Sequence, residues 1–200
     1  MIRIGIDIGG TFTDFVIYKT EDGSLITFKL PSTPHNPAEA VLTGLRQVPD
    51  LIDAAIIHGS TVATNALLER EGAKTALIAT KGFKDIIQIG RQNRPRLYDW
   101  FYDPPPPLVP SDLRFEIDER VEHDGNISKG IDTRDIDVLM NQMKGLGIES
   151  IGICLLFSYL QPSHEKIILE KLRQAGYQFI SCSHEILPQF REYERMSTTI

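Results

Sequence analysis

Two aspartates flank a glycine-threonine turn near the start of the chain, in the run Gly5-Ile6-Asp7-Ile8-Gly9-Gly10-Thr11-Phe12-Thr13-Asp14-Phe15. Adjacent glycines let the main chain approach a ligand closely and take conformations closed to other residues, so the amides of Gly10, Thr11 and Phe12 can point together at an anion. Threonine hydroxyls, at Thr11 and Thr13, add donors. A carboxylate does not bind phosphate directly, but Asp7 before the turn and Asp14 after it can hold a magnesium ion, directly or through water, against phosphate oxygens. Two nucleotide-site patterns fail to fit. Gly9 and Gly10 are adjacent and an extended run follows them, unlike a dinucleotide fingerprint, and no Gly-Lys-Ser/Thr follows, which excludes a P-loop. A tight hairpin turn carrying surface aspartates needs the same residues. Turn chemistry alone leaves both readings open.

The elements that must position this turn are legible in the periodicity. Isoleucine alternates with other residues over 2–8, a strand pattern, and 12–19 reads as a second strand. After a turn at Asp22-Gly23 the run 25–30 reads as a third, so an antiparallel meander opens the chain. The character then changes. Asn36 as N-cap, Pro37 at the first helical position and Glu39 start a helix whose Val41, Leu42, Leu45 and Val48 share a face. Residues 54–60 read as a buried strand, 61–72 as a helix closed by Gly72, 74–80 as a strand and 82–90 as a short helix. Downstream, 114–127 resembles a hairpin turning at Asp124-Gly125. A helix from about Asp132 presents Ile136, Leu139, Met140 and Met143, 149–157 is an apolar strand, 162–176 an amphipathic helix ended by Gly176, and 177–183 another strand. Residues 187–200 begin like a helix. The stretch 91–114, aromatic and with prolines at 104–107, reads as a long excursion or lid joining two sub-regions, 1–90 and 115–200.

Composition limits the function classes. With 200 residues, 21 basic and 27 acidic, the formal charge is -6, which lacks the footprint of a general nucleic-acid binder. The two cysteines, Cys154 and Cys182, form no CxxC and suit simple core positions. A reducing cytoplasm fits that usage. No apolar run reaches spanning length, so no membrane association is expected.

The run 5–14 resembles the first phosphate motif of the actin-like ATPase superfamily, and in this spelling it is most similar to the hydantoinase A and 5-oxoprolinase family. Residues 58–99 and 187–199 are similar to that family as well, so the resemblance covers nearly the whole chain; family members commonly carry threonine where Ser60 stands here. The resemblance implies an α/β fold, an RNase-H-like (actin-like ATPase) domain with three antiparallel opening strands followed by alternating helices and strands. It implies an ATP-dependent enzyme that activates a cyclic amide or ketone oxygen by phosphoryl transfer and, for amides, hydrolyses the activated species. Asp7 and Asp14 would then organise Mg2+, and Gly9, Gly10, Thr11, Phe12 and Thr13 would cradle the terminal phosphates of ATP. Family members are several hundred residues long, so 1–200 is expected to be the amino-terminal domain, carrying half a site, inactive alone and completed by a downstream lobe or partner subunit. A homo-oligomer is neither required nor excluded.

Other residues carry weaker signals. His58 ends a strand before a hydroxyl-rich turn; Ser60 or Thr61 suits a helix N-cap, whereas the family match places His58, Thr61 and Asn65 towards substrate or intermediate. Arg91, Arg94 and Arg96 can grip a carboxylate or phosphate of the substrate, or form an exposed basic loop that docks on the missing downstream region, the preferred reading. Arg191, Glu192, Glu194 and Arg195 suit ion pairing along an exposed helix face, or alternatively an interlobe contact. His123, His164 and His184 are assigned no role. Two functions of other classes stand beside the enzyme: a non-catalytic subunit-pairing module, and a small-molecule kinase relative.

Overall fold

The computed structural model describes residues 1–49, 51–93, 98–103 and 105–200. None of its described helices is long and apolar enough to cross a membrane. The chain divides into two compact units, Met1–Gly72 and Ala73–Ile200. The expected seam within 91–114 is not where they part. The strand at 75–80 has hydrogen-bonded neighbours on both edges, both from the second unit, and therefore belongs there.

The first unit opens with β1 (Ile2–Ile8), β2 (Phe12–Lys19) and β3 (Leu25–Pro31), the antiparallel meander read from the sequence. Helix α1 (Pro37–Leu45) crosses to β4 (Ala55–Ser60), which pairs parallel with β1, and α2 (Val62–Glu69) follows. The sheet order is β3-β2-β1-β4. Period-two alternation sends Ile4, Ile6, Ile8, Phe15 and Ile17 to one face, where they pack with Val48 and with Val41 and Leu45. Leu42, expected on that face, is 55% exposed. Helix α1 instead rests through Ala40 and Gly44, because Gly44 has no side chain and lets the helix close onto the Phe15 ring. Phe15 is in turn stacked on Phe28, centroids 4.7 Å apart. β4 is a strand as expected but not a buried one; Ile57 is 72% exposed, since it lies level with Gly5 on the open face of the sheet that also carries Asp7. The C-cap of α2 is Arg70 in the left-handed region at φ 57, two residues before the expected Gly72.

The second unit is built on a parallel sheet of β5 (Thr75–Thr80), β6 (Arg114–Ile117), β9 (Ser150–Cys154) and β10 (Phe179–Cys182), in the order β10-β9-β5-β6. Between β5 and β6 lie α3 (Ile86–Ile89) and a 3-10 turn at Ser111–Leu113. The expected hairpin begins later than its sequence suggests: β6 is taken by β5, and the hairpin is β7 (Arg120–Val121) with β8 (Ile127–Lys129). Helix α4 (Thr133–Met143) is capped by Asp132, whose carboxylate accepts from the Arg134 amide at 2.9 Å, and it buries Ile136, Leu139 and Met143. Helix α5 (Ser163–Gln174) ends, as read, at Gly176 with φ +97. Two short helices, α6 (Ser183–Ile186) and α7 (Glu192–Thr199), complete the chain.

Both faces of this sheet are covered, which is why its strands read as continuous apolar runs. Ile78, Ile153 and Cys182 lie in one cluster, Leu77, Ala79 and Cys154 in the other. The two thiols thus sit on opposite faces, and both are free. Arg195 corrects the expectation of an exposed ionic helix face: its side chain is fully buried, donating to the carbonyls of Leu155 at 2.7 Å and Gln189 at 3.2 Å and stacked over Tyr159.

A side chain at Gly44 would meet the Phe15 ring at 2.0 Å. Gly44→Ala is expected to destabilise the first unit by about 1–3 kcal/mol, the usual cost of overpacking. Urea unfolding followed on that unit checks this, and an unchanged midpoint would refute the packing described.

Candidate functional site

The hairpin register decides where the two acids go. Asp7 pairs with Asp14 and Ile8 with Thr13. Paired residues project to the same side, so both carboxylates stand on the exposed face of the sheet, opposite its core. Like charges directly across a ladder repel. Lys29 is the next residue along that row, yet its ammonium lies 4.6 Å from the ring centre of Phe12. Two hard oxygen ligands thus share one small patch, the donor type that magnesium takes.

The turn above them is tightly held. The Gly9 amide donates to Phe12 O at 3.0 Å. The Ser32 amide donates to Thr11 O at 2.9 Å, and the Ser32 hydroxyl to Gly9 O at 2.7 Å. Thr13 is fully buried, with its hydroxyl 3.0 Å from that of Ser32, so it supports the turn from the core side. The amides of Gly10 and Thr11 donate to no protein atom among the described residues. Asn65, half-buried on α2, reaches over the turn: its amide nitrogen would stand 3.4 Å from a Cβ placed on Gly10.

Of the residues singled out beyond the turn, the structure brings Thr61 and Asn65 to it and leaves His58 away. The Thr61 amide donates to Ile8 O at 3.0 Å, and Asn65 follows one helical turn later. Of the two residues considered as the cap of α2, Thr61 is the N-cap and makes no side-chain cap bond among the described residues, while the Ser60 hydroxyl, one residue earlier, accepts from the Val62 amide at 3.3 Å. His58 pairs with Ile6, a core-facing residue, so it occupies the face of the sheet away from Asp7 and Asp14. Arg91, in the second unit, donates to Glu194 at 2.7 Å and lies 6.0 Å from the Tyr193 ring centre. That hydrogen bond holds the Glu194 carboxyl below its ordinary range. Arg91 therefore docks onto α7. Arg94 and Arg96 lie outside the described residues.

Sequence reasoning missed Ser32 and a buried polar network in the second unit. At the carboxyl ends of β5, β9 and β10, His164 pairs with Glu119 at 2.6 Å, and Glu119 also accepts from the Thr80 hydroxyl. Glu165 accepts from the amides of Leu155 (2.9 Å) and His184 (3.0 Å), from the Ser183 hydroxyl (2.6 Å) and from His184 Nδ1 (2.6 Å). Burying a carboxylate requires such compensation. The sequence did carry a signal: Ser-His-Glu occurs twice, at 163–165 and 183–185. Glu165, Cys182 and His184 each place one ligand atom within 4.8 Å of the others. Both Glu165 oxygens are already engaged, and burial, helped by Glu165 and Glu185, pushes the Cys182 thiol up to about 12. The cluster is accordingly a structural network engaged through both Glu165 oxygens, although His184 Nε2 is buried without a hydrogen-bond partner among the described residues, 3.7 Å from a Glu185 oxygen.

Comparison with known proteins fixes the family. The model of the hydantoinase/oxoprolinase N-terminal region matches residues 3–176. The chain belongs to that family. Caprolactamase subunit alpha of Pseudomonas jessenii is 36% identical over 211 residues, covering 99% of this chain and 30% of that protein. The crystal structure of the ATP-dependent caprolactamase from that organism matches with a TM-score of 0.80 over 98% of this chain. Acetone carboxylase, in a nucleotide-free structure, matches at 26% identity with a TM-score of 0.84. The 5-oxoprolinase of Dictyostelium discoideum is 31% identical over 99% of this chain and 19% of its own length. The hydantoinase/oxoprolinase N-terminal region described here thus spans about a third or less of these relatives. Its mixed α/β architecture, with the three antiparallel strands first, is the fold expected of the actin-like ATPases.

Two outcomes test this geometry. A Cβ on Gly9 would meet Phe12 O at 2.9 Å, a main-chain atom that cannot yield, whereas on Gly10 it meets only the mobile end of Asn65. Gly9→Ala is expected to cost about 1–3 kcal/mol of stability and Gly10→Ala less than about 0.5 kcal/mol; a reversed order in denaturant titrations would contradict the turn. Burial raises the Cys154 thiol too, against the opposing pull of Arg195. Raised thiols stay protonated, so neither cysteine should alkylate in the native protein at about pH 8, and mass spectrometry reads the result.

Proposed function

We propose that this chain is the phosphate-binding portion of an ATP-dependent hydantoinase or 5-oxoprolinase-like enzyme. The carrying observation is the cross-strand pair of Asp7 and Asp14 beside a turn whose Gly10 and Thr11 amides have no protein acceptor among the described residues. Main-chain donors of this kind, held in place before ligand arrives, suit the terminal phosphates of a nucleotide. Gly9, Gly10, Thr11 and Phe12 form the cradle, with Thr13 supporting it from the core.

Asp7 and Asp14 would hold a magnesium ion, which would neutralise charge on the phosphate oxygens. The aspartates also keep a second anion from entering this face unaccompanied by a cation. Asn65 and Thr61 border the turn and orient what lies above it, while His58, on the other face, takes no part in holding phosphate. The substrate is a cyclic amide or a ketone, a reading supported by relatives named caprolactamase, 5-oxoprolinase and acetone carboxylase. In the amide case the carbonyl oxygen attacks the terminal phosphorus and ADP leaves. Water then adds to the activated carbon, the ring C–N bond breaks as the nitrogen takes up a proton, and a second water cleaves the resulting acyl phosphate to a carboxylate and free phosphate. A downstream region or partner subunit supplies the remaining contacts, in keeping with the subunit name of the caprolactamase relative.

Asp7→Asn in the full-length protein should lower MgATP-dependent turnover of 5-oxoproline, hydantoins or small ketones by about a hundredfold or more, the scale of a lost transition-state charge contact. Equal rates would remove Asp7 from the mechanism. Recovery of a phosphorylated product in place of a ring-opened one would mark a kinase instead.

A further inference from the structure

We propose that Ser32 is the positioning residue that presets the glycine turn for phosphate. This inference rests on the phosphate reading above and adds a residue to it. A trans peptide unit directs its C=O and the following N–H to opposite sides, and no peptide bond in the described chain is cis. Ser32 holds two such units. Its hydroxyl donates to Gly9 O at 2.7 Å, which turns the Gly10 N–H away from Ser32. Its amide donates to Thr11 O at 2.9 Å, which turns the Phe12 N–H the same way. One residue just beyond β3 therefore aims two of the three amides assigned to the anion.

The hydroxyl is itself oriented. Its single proton goes to Gly9 O, so the 3.0 Å contact with Thr13 must have Thr13 as donor, and Thr13 is fully buried. The result is a directed relay, Thr13 to Ser32 to Gly9 O, anchored in the core and strengthened by polarisation along its length. Without it, the glycine pair is free to flip its peptide planes, since glycine populates both signs of φ. A flipped Gly9–Gly10 unit would present a carbonyl oxygen to the phosphate instead of an N–H.

The test uses the full-length protein with two separate readouts. Amide NMR without ligand reports the turn alone: in Ser32→Ala the Gly10 and Phe12 resonances should shift and broaden, while Ser32→Thr, which keeps the hydroxyl, should restore them. Calorimetry with MgADP and MgATP reports the use of the turn: Ser32→Ala should bind about tenfold more weakly, the scale of one lost hydrogen bond, with AMP affinity unmoved and Ser32→Thr restoring the wild-type value. Thr13→Val, which strips only the orienting donor, should give the same signature at smaller amplitude and serves if Ser32→Ala does not fold. Unchanged amide resonances, or altered resonances with unchanged affinity, would each overturn the role of Ser32 and leave the phosphate reading standing. Failure of the wild-type protein to bind either nucleotide would overturn the phosphate reading itself, and with it the positioning role.

Discussion

The register of the first hairpin is the constraint on which the candidate site depends. Side chains alternate along a strand, so pairing Asp7 with Asp14 puts both acids on the solvent face and, by the same count, puts Ile6, Ile8, Thr13 and Phe15 on the other. A slip of one residue would bury a carboxylate and expose an isoleucine. The core of the first unit thus enforces the geometry of its chemistry: burying Ile4, Ile6, Ile8, Phe15 and Ile17 stabilises only the register that brings the acids together. The repulsion between two unneutralised carboxylates is small beside that burial, which is how a fold can keep them adjacent.

The second unit solves a different problem. Its parallel sheet is covered on both faces, and the polar groups at the carboxyl ends of its strands are enclosed with it. Glu119 and Glu165 are compensated by histidines, hydroxyls and main-chain amides contributed from several elements. Glu165 in particular ties the first turn of α5 to the end of β9 and to the start of α6. Such a network is expensive to leave half made, so it selects one arrangement of the surrounding loops. Arg195 extends the same logic to α7 by donating to the Leu155 carbonyl, on the residue whose amide is held by Glu165.

Family membership joins these observations to chemistry. The matched region runs through both units, from residue 3 to residue 176, so it takes in β5, β6 and β9 of the parallel sheet as well as the glycine turn. In the first unit the acids, the turn and α2 converge; in the second, Glu119 and Glu165 are turned inward with their carboxylates engaged by histidines, hydroxyls and main-chain amides. The Gly10 and Thr11 amides remain main-chain donors without a protein acceptor among the described residues.

Amino-acid order by itself determined the strands, most helix starts and the turn, because these depend on neighbours a few residues apart: isoleucine alternation in β1, Pro37 opening α1, Asp132 capping α4, Gly176 ending α5. It also carried the pair of aspartates and the glycines between them. Only tertiary structure decided that Ser32 would meet that turn, that His58 would face away from it, that Leu42 would be left outside and Arg195 enclosed. Those outcomes turn on which distant surfaces approach one another. A side chain's burial is a property of its neighbours in space, and a hydroxyl or an arginine looks the same in the sequence whether water or a carbonyl oxygen awaits it.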